Sequence, residues 1–124
     1  MLATGLIILV IAFHVWFLIL EMFLWTKPLG MTLMAITSEQ AEATKILAMN
    51  QGLYNGMVAA YLIWCLIRKD FSTITLILIT IVLAGCYGAW SSDKPIIFFI
   101  QSLPAILALI AIKTRRTMRT NQIP

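Results

Sequence analysis

Eight polar or ionisable side chains lie inside stretches that are otherwise hydrocarbon-like: His14, Glu21, Asn50, Gln51, Tyr54, Asn55, Tyr87 and Gln101. Glu21 is the sharpest of them. A carboxylate in a membrane-length apolar run is a functional candidate, for a proton-coupled cycle or as general acid or base. His14 can move a proton at neutral pH. The amides both donate and accept, which suits them to orienting a polar head group. Residues 50–56 read Asn-Gln-Gly-Leu-Tyr-Asn-Gly, three amides and two glycines in one short stretch. Each amide is costly in hydrocarbon unless it finds a partner. Interhelical hydrogen bonds contribute only ~0.6 kcal/mol each in a membrane protein, so stability alone hardly accounts for so many. No nucleophile–base pair is visible. No Cys/His spacing resembles a zinc site, and His14, Glu21 and Cys86 have no specific metal-ligand spacing. No metal and no cofactor is expected, and the reaction class stays open.

The elements that must position these groups follow from composition. The chain has 124 residues, 61% of them hydrophobic, and a mean hydropathy of +0.96. A soluble domain of this size does not carry so much apolar surface. Four apolar runs, about 2–25, 46–67, 72–90 and 96–112, are each close to the ~20 residues a helix needs to cross the hydrocarbon core. They are too long and too little alternating for strands. The expectation is an all-α integral membrane protein: one compact domain, 1–124, of four transmembrane helices. The first run has no basic residue before it and exceeds the length of a cleaved signal, so it is expected to stay as the first helix.

Charge sets the expected orientation. Arg68, Lys69, Lys113, Arg115, Arg116 and Arg119 fall on one side of a four-span chain; Lys27, Lys45 and Lys94 fall on the other. Six against three places both termini in the cytoplasm. The basic tail is read as a topology signal on anionic headgroups, with no nucleic-acid partner. Cys65 and Cys86 lie at different depths and do not form a pair.

Along the chain, Trp25 is expected to anchor the first helix at the outer interface, and Lys27-Pro28-Leu29-Gly30 ends that helix. Residues 31–36 form a short apolar segment outside, a lid or a loop. Thr37 and Gln40 fit a capping box that starts a second helix running from about Ser38 to Ile67. Ala48, Gly52, Gly56 and Ala60 recur every four residues on it, a helix-packing stripe that admits a close neighbour. Asn50, Tyr54 and Tyr61 lie on nearly the opposite side, which suits a helix that also meets a second subunit. Ser92 or Asp93 is a cap signal before the last helix, and Pro104 frees the carbonyl of Ile100. By depth, Glu21, Asn50, Gln51, Asn55, Tyr87 and Gln101 fall in the outer half and His14 near the middle. The expected site is a polar pocket near the outer face, lined by these residues with Trp25 and Tyr54; the alternative is a closed interhelical hydrogen-bond network with no cavity.

Residues 21–25, Glu-Met-Phe-Leu-Trp, and residues 50–56 together resemble a family of small bacterial membrane proteins known as a domain of unknown function. The resemblance covers nearly the whole chain and implies that Glu21, Trp25, Asn50, Gln51, Gly52, Tyr54, Asn55 and Gly56 are its signature. It implies a multi-pass protein of the bacterial inner membrane and supplies no activity. In length and helix count the chain is also similar to the small multidrug resistance transporters, which use a glutamate in their first helix; Glu21 departs from them by lying near the outer end. The function expected first is binding or transport of a small molecule or lipid, with a homo-oligomer as one arrangement. A membrane-embedded enzyme on a lipophilic substrate and an accessory or structural membrane protein are the alternatives.

Overall fold

The structure is a computed structural model that describes residues 1–120. It is helical throughout, with no strand among the described residues: α1 (Leu2–Ile19), a π-helical segment (Leu20–Leu24), α2 (Pro28–Met34), α3 (Ser38–Ile67), α4 (Phe71–Ser91), a second π-helical segment (Phe98–Ser102) and α5 (Leu103–Thr120). Three stretches are long and apolar enough to cross a membrane: Leu2–Leu24, Phe71–Ser91 and Phe98–Arg115. Only 22% of the apolar window in Leu2–Leu24 is buried, so most of a segment with mean hydropathy 2.6 faces outward. Such a surface is untenable in water and ordinary in lipid. The long helix α3, 30 residues, is not among the three.

Local chemistry explains the helix ends. The capping box forms: the Thr37 N–H donates to Gln40 Oε1 at 2.9 Å and the Gln40 N–H to Thr37 Oγ1 at 3.2 Å. That fixes the start of α3 and satisfies two amides with no helical partner. Asp70 caps α4, its Oδ1 accepting from the Ser72 and Thr73 amides and its Oδ2 from the Thr73 hydroxyl at 2.6 Å. These bonds favour the ionised form and hold its carboxyl below the usual aspartate range, the Thr73 hydroxyl first among them. Ser92 closes α4 and does not open the next helix: its hydroxyl donates to the Gly88 carbonyl at 2.6 Å. Residues 31–36 are ordered mostly as α2, which ends on Ala35 in the left-handed region at φ 53°.

The chain divides into two compact units, Met1–Phe13 with the chain from Tyr61 onward, and His14–Ala60. In the first, α4 packs against α5 and the second π segment. Its core is aliphatic, with Ile7, Leu62, Ile74 and Leu78 inaccessible to solvent. In the second, α2 packs on the first π segment. Gly30 permits that seat, since a Cβ there would land on the Leu24 carbonyl.

Candidate functional site

Within the His14–Ala60 unit, Glu21 and Asn55 meet on one face of α3, while the side chains of Asn50, Gln51 and Tyr54 are exposed. Glu21 stands in the first π segment, where a widened turn inserts an extra residue into the helix. Asn55 Nδ2 donates to Glu21 Oε2 at 2.7 Å, and also to the carbonyl of Gln51 at 3.1 Å. The second contact, one turn back along α3, fixes the amide's rotamer and leaves its N–H aimed at the carboxylate. Among the described residues Glu21 Oε1 accepts no hydrogen bond, and the carboxylate meets no cation; the ion pair formed in this unit joins Lys45 and Glu42 on the surface. Glu21 is half-buried.

Close approach of the two backbones makes this bond short. A Cβ built at Gly52 would lie 2.7 Å from Met22 Cγ, 3.1 Å from Glu21 Cβ and 3.1 Å from the Met22 nitrogen. Only a glycine lets α3 lie this near the π segment. One turn on, Gly56 meets the methyls of Leu18. At the other end of the site, Trp25 Nε1 donates to Thr44 Oγ1 at 3.0 Å, and that hydroxyl donates in turn to the Gln40 carbonyl at 2.7 Å. Thr44 escaped notice in the sequence. Its signal was register: it is four residues before Ala48 and four after Gln40, on the same face.

Glu21, Met22, Trp25, Gly52 and Asn55, which make most of these contacts, lie within residues 21–25 and 50–56. Residues 8–113 match the family described as Protein of unknown function (DUF1304). The chain belongs to it. It is also similar to the uncharacterized protein YpaA of Lactococcus lactis subsp. lactis (strain IL1403), 36% identical over 74 residues, 58% of this chain and 61% of that protein. The match thus spans less than two thirds of that relative's length. No solved structure matches the chain.

The remaining expected site residues of this DUF1304 protein divide by surroundings. His14 is buried, with 2% of its surface accessible, and is partnered. Asn50, Gln51 and Tyr54 have exposed side chains; Gln51 enters the site through its carbonyl. Of the four residues expected to form a packing stripe, Ala48 and Gly52 are buried, Gly56 is half-buried against Leu18 and Ala60 is exposed, while Ala59 beside it is buried. A four-residue step overshoots one helical turn by ~40°, so a strict four-residue repeat walks off the contact face. In the other unit Tyr87 is exposed, its ring 5.8 Å from that of Trp90. Gln101 lies half-buried in the second π segment. Ser102 beside it was passed over as a site: fully buried, its hydroxyl donates to the Val82 carbonyl at 3.0 Å and stands 3.8 Å from Cys86 Sγ. Cys65 and Cys86 are free thiols. Among the described residues no three metal-ligating side chains gather.

Proposed function

We propose that this chain is a multi-pass protein of the bacterial inner membrane in which all four long helices cross the bilayer, both ends lie in the cytoplasm, and Glu21 with Asn55 binds a small cationic molecule near the outer surface. The observation that carries the reading is the carboxylate itself. One oxygen is held by Asn55 at 2.7 Å while the other takes no hydrogen bond from the described residues. A carboxylate at membrane depth is retained where it has a use, and the use it fits is attraction of a positive charge. The amide bond orients the group and leaves its charge uncompensated. The π segment favours the same reading, since such widened turns occur often at functional sites.

The experiment is binding of a lipophilic cation, tetraphenylphosphonium, to the protein in lipid nanodiscs. Saturable binding by the native chain, lost by tenfold or more in Glu21→Gln, is the expected result. Equal binding by both removes the proposal.

A further inference from the structure

The face of α3 turned away from Glu21 repeats at heptad spacing. Leu47, Asn50, Tyr54 and Met57 follow one another by three, four and three residues, and the same register along the unbroken helix reaches Tyr61 and Trp64. Alternation of three and four is the seam of a left-handed helix pair. At ~100° per residue, Asn50 points opposite Ala41 and Ala59, both of which are buried. All six seam residues are exposed, Leu47 by 68%, Tyr54 by 62% and Trp64 by 63%.

We infer that this seam receives a second copy of the chain, with α3 lying parallel to α3 about a two-fold axis along the membrane normal. The inference rests on the reading that α3 crosses the bilayer. Asn55 has its partners within the chain. Asn50, Tyr54 and Tyr61 face outward, where lipid offers no hydrogen bond. All copies of one membrane protein share an orientation, so a parallel pair sets each residue beside its own counterpart at equal depth. Only a group that both donates and accepts can satisfy its own copy, and an amide and a phenol do so. No charged residue stands on the seam from Leu47 to Trp64, so nothing there repels its twin. One asparagine in such a seam fixes register, and Met, Tyr and Trp are the residues enriched at protein interfaces. A different partner would need complementary groups; this face is complementary to itself.

Cysteine cross-linking of the full chain in lipid vesicles tests this, in a Cys65→Ser, Cys86→Ser background. Single cysteines go in at Leu47, Asn50, Tyr54 and Met57, and off the seam at Met49, Ala60 and, on α4, Leu83. Oxidation should give disulfide-linked dimers several-fold faster at the seam positions, rising and falling with the heptad. Light scattering in detergent should give the mass of two copies for the native chain and a loss of dimer for Asn50→Val. A single-copy mass, or a cross-linking rate that is flat around α3, overturns the inference. Membrane-impermeant thiol labelling of Thr37→Cys and Lys69→Cys separates the two readings. Labelling from opposite sides with a flat cross-linking profile sinks the dimer alone; labelling from one side sinks the crossing of α3 and the dimer with it.

Discussion

Asn55 makes two contacts through one nitrogen, and their roles differ. The bond to the Gln51 carbonyl is internal to α3; the bond to Glu21 crosses between helices. Removing the amide with Asn55→Ala leaves the carboxylate with no described partner. An average interhelical bond in a membrane protein contributes ~0.6 kcal/mol, and a charged acceptor roughly doubles a bond's strength, so a loss of about 0.6–2 kcal/mol is expected in a reversible unfolding titration. Glu21→Gln should be milder, because its side-chain carbonyl still accepts from Asn55. That contrast separates holding the helices together, where Asn55→Ala is worse, from binding a cation, where Glu21→Gln is worse. Asp70 allows a second reading at this scale, in water and not in lipid. Its carboxyl titrates lower in the folded chain than in the unfolded one. Its contribution to stability is therefore complete above the unfolded value near 4 and disappears as pH falls through the folded value. Asp70→Ala should lower the melting temperature at pH 7, with the gap to the native chain closing on acidification. Asp70→Asn, which keeps a capping oxygen, should melt closer to the native chain at pH 7.

Two helix pairs in separate units use the same local device. In each, a π segment presents a long polar side chain beside a glycine of the helix it packs on: Glu21 with Gly52, and Gln101 with Gly85. A Cβ built at either glycine would stand 3.1 Å from the Cβ of the polar residue and 3.1 Å from the nitrogen of the next, Met22 or Ser102. At Gly85 it would also collide with the Ser102 hydroxyl, which is committed to the Val82 carbonyl. Gly85→Ala should therefore cost about 1–3 kcal/mol, the usual result of overpacking, in spite of its gain in helix propensity. Gly5 is the control, with nothing within 4 Å of the Cβ position. Gly5→Ala should be neutral or raise stability by up to about 1 kcal/mol. Thermal unfolding of the two alanine variants beside the native chain checks both. Gly52 was legible in the sequence as one of a stripe of small residues, and α3 was legible to its ends because Thr37 and Gln40 announce the start. The π segments were not. A widened turn shifts the apolar period by one residue, less than the tolerance with which any periodicity is read. Pro104 gave a partial signal: it has no N–H for the Ile100 carbonyl, and the widened turn lies just before it, where the Leu103 N–H reaches back to Phe98. Around Glu21 no proline marks the spot.

At the scale of the molecule, everything turns on α3. Three stretches pass on length and apolarity, and α3 is the long helix that does not. The amides and tyrosines that disqualify it, Asn50, Gln51, Tyr54, Asn55 and Tyr61, are the reason to look at it. If it crosses, the chain makes four passes and both ends share a side; if it lies outside the hydrocarbon, three passes put the ends on opposite sides. Basic residues do not decide between the two: four passes set Arg68, Lys69 and four more in the tail against Lys27, Lys45 and Lys94, and three passes set all the others against Lys94 alone. The side chains of Arg116 and Arg119 lie outside the described residues, but Arg68 sits over the Trp64 ring at 5.9 Å and Arg115 over the Phe71 ring at 5.1 Å, each basic group beside an aromatic at a helix end. Such pairs suit a membrane–water boundary. Epitope tags at both ends should be cut by added protease in inverted vesicles and protected in right-side-out ones. Cutting of one tag from each side means three passes. Charge should then act as a lever: Arg68→Gln and Lys69→Gln combined with Thr32→Lys and Leu33→Lys on α2 turn the balance to four against five, and a mixed population of orientations should appear in the same assay. An orientation unmoved by that reversal would mean that something other than loop charge, docking of α3 during insertion above all, decides which way this protein faces.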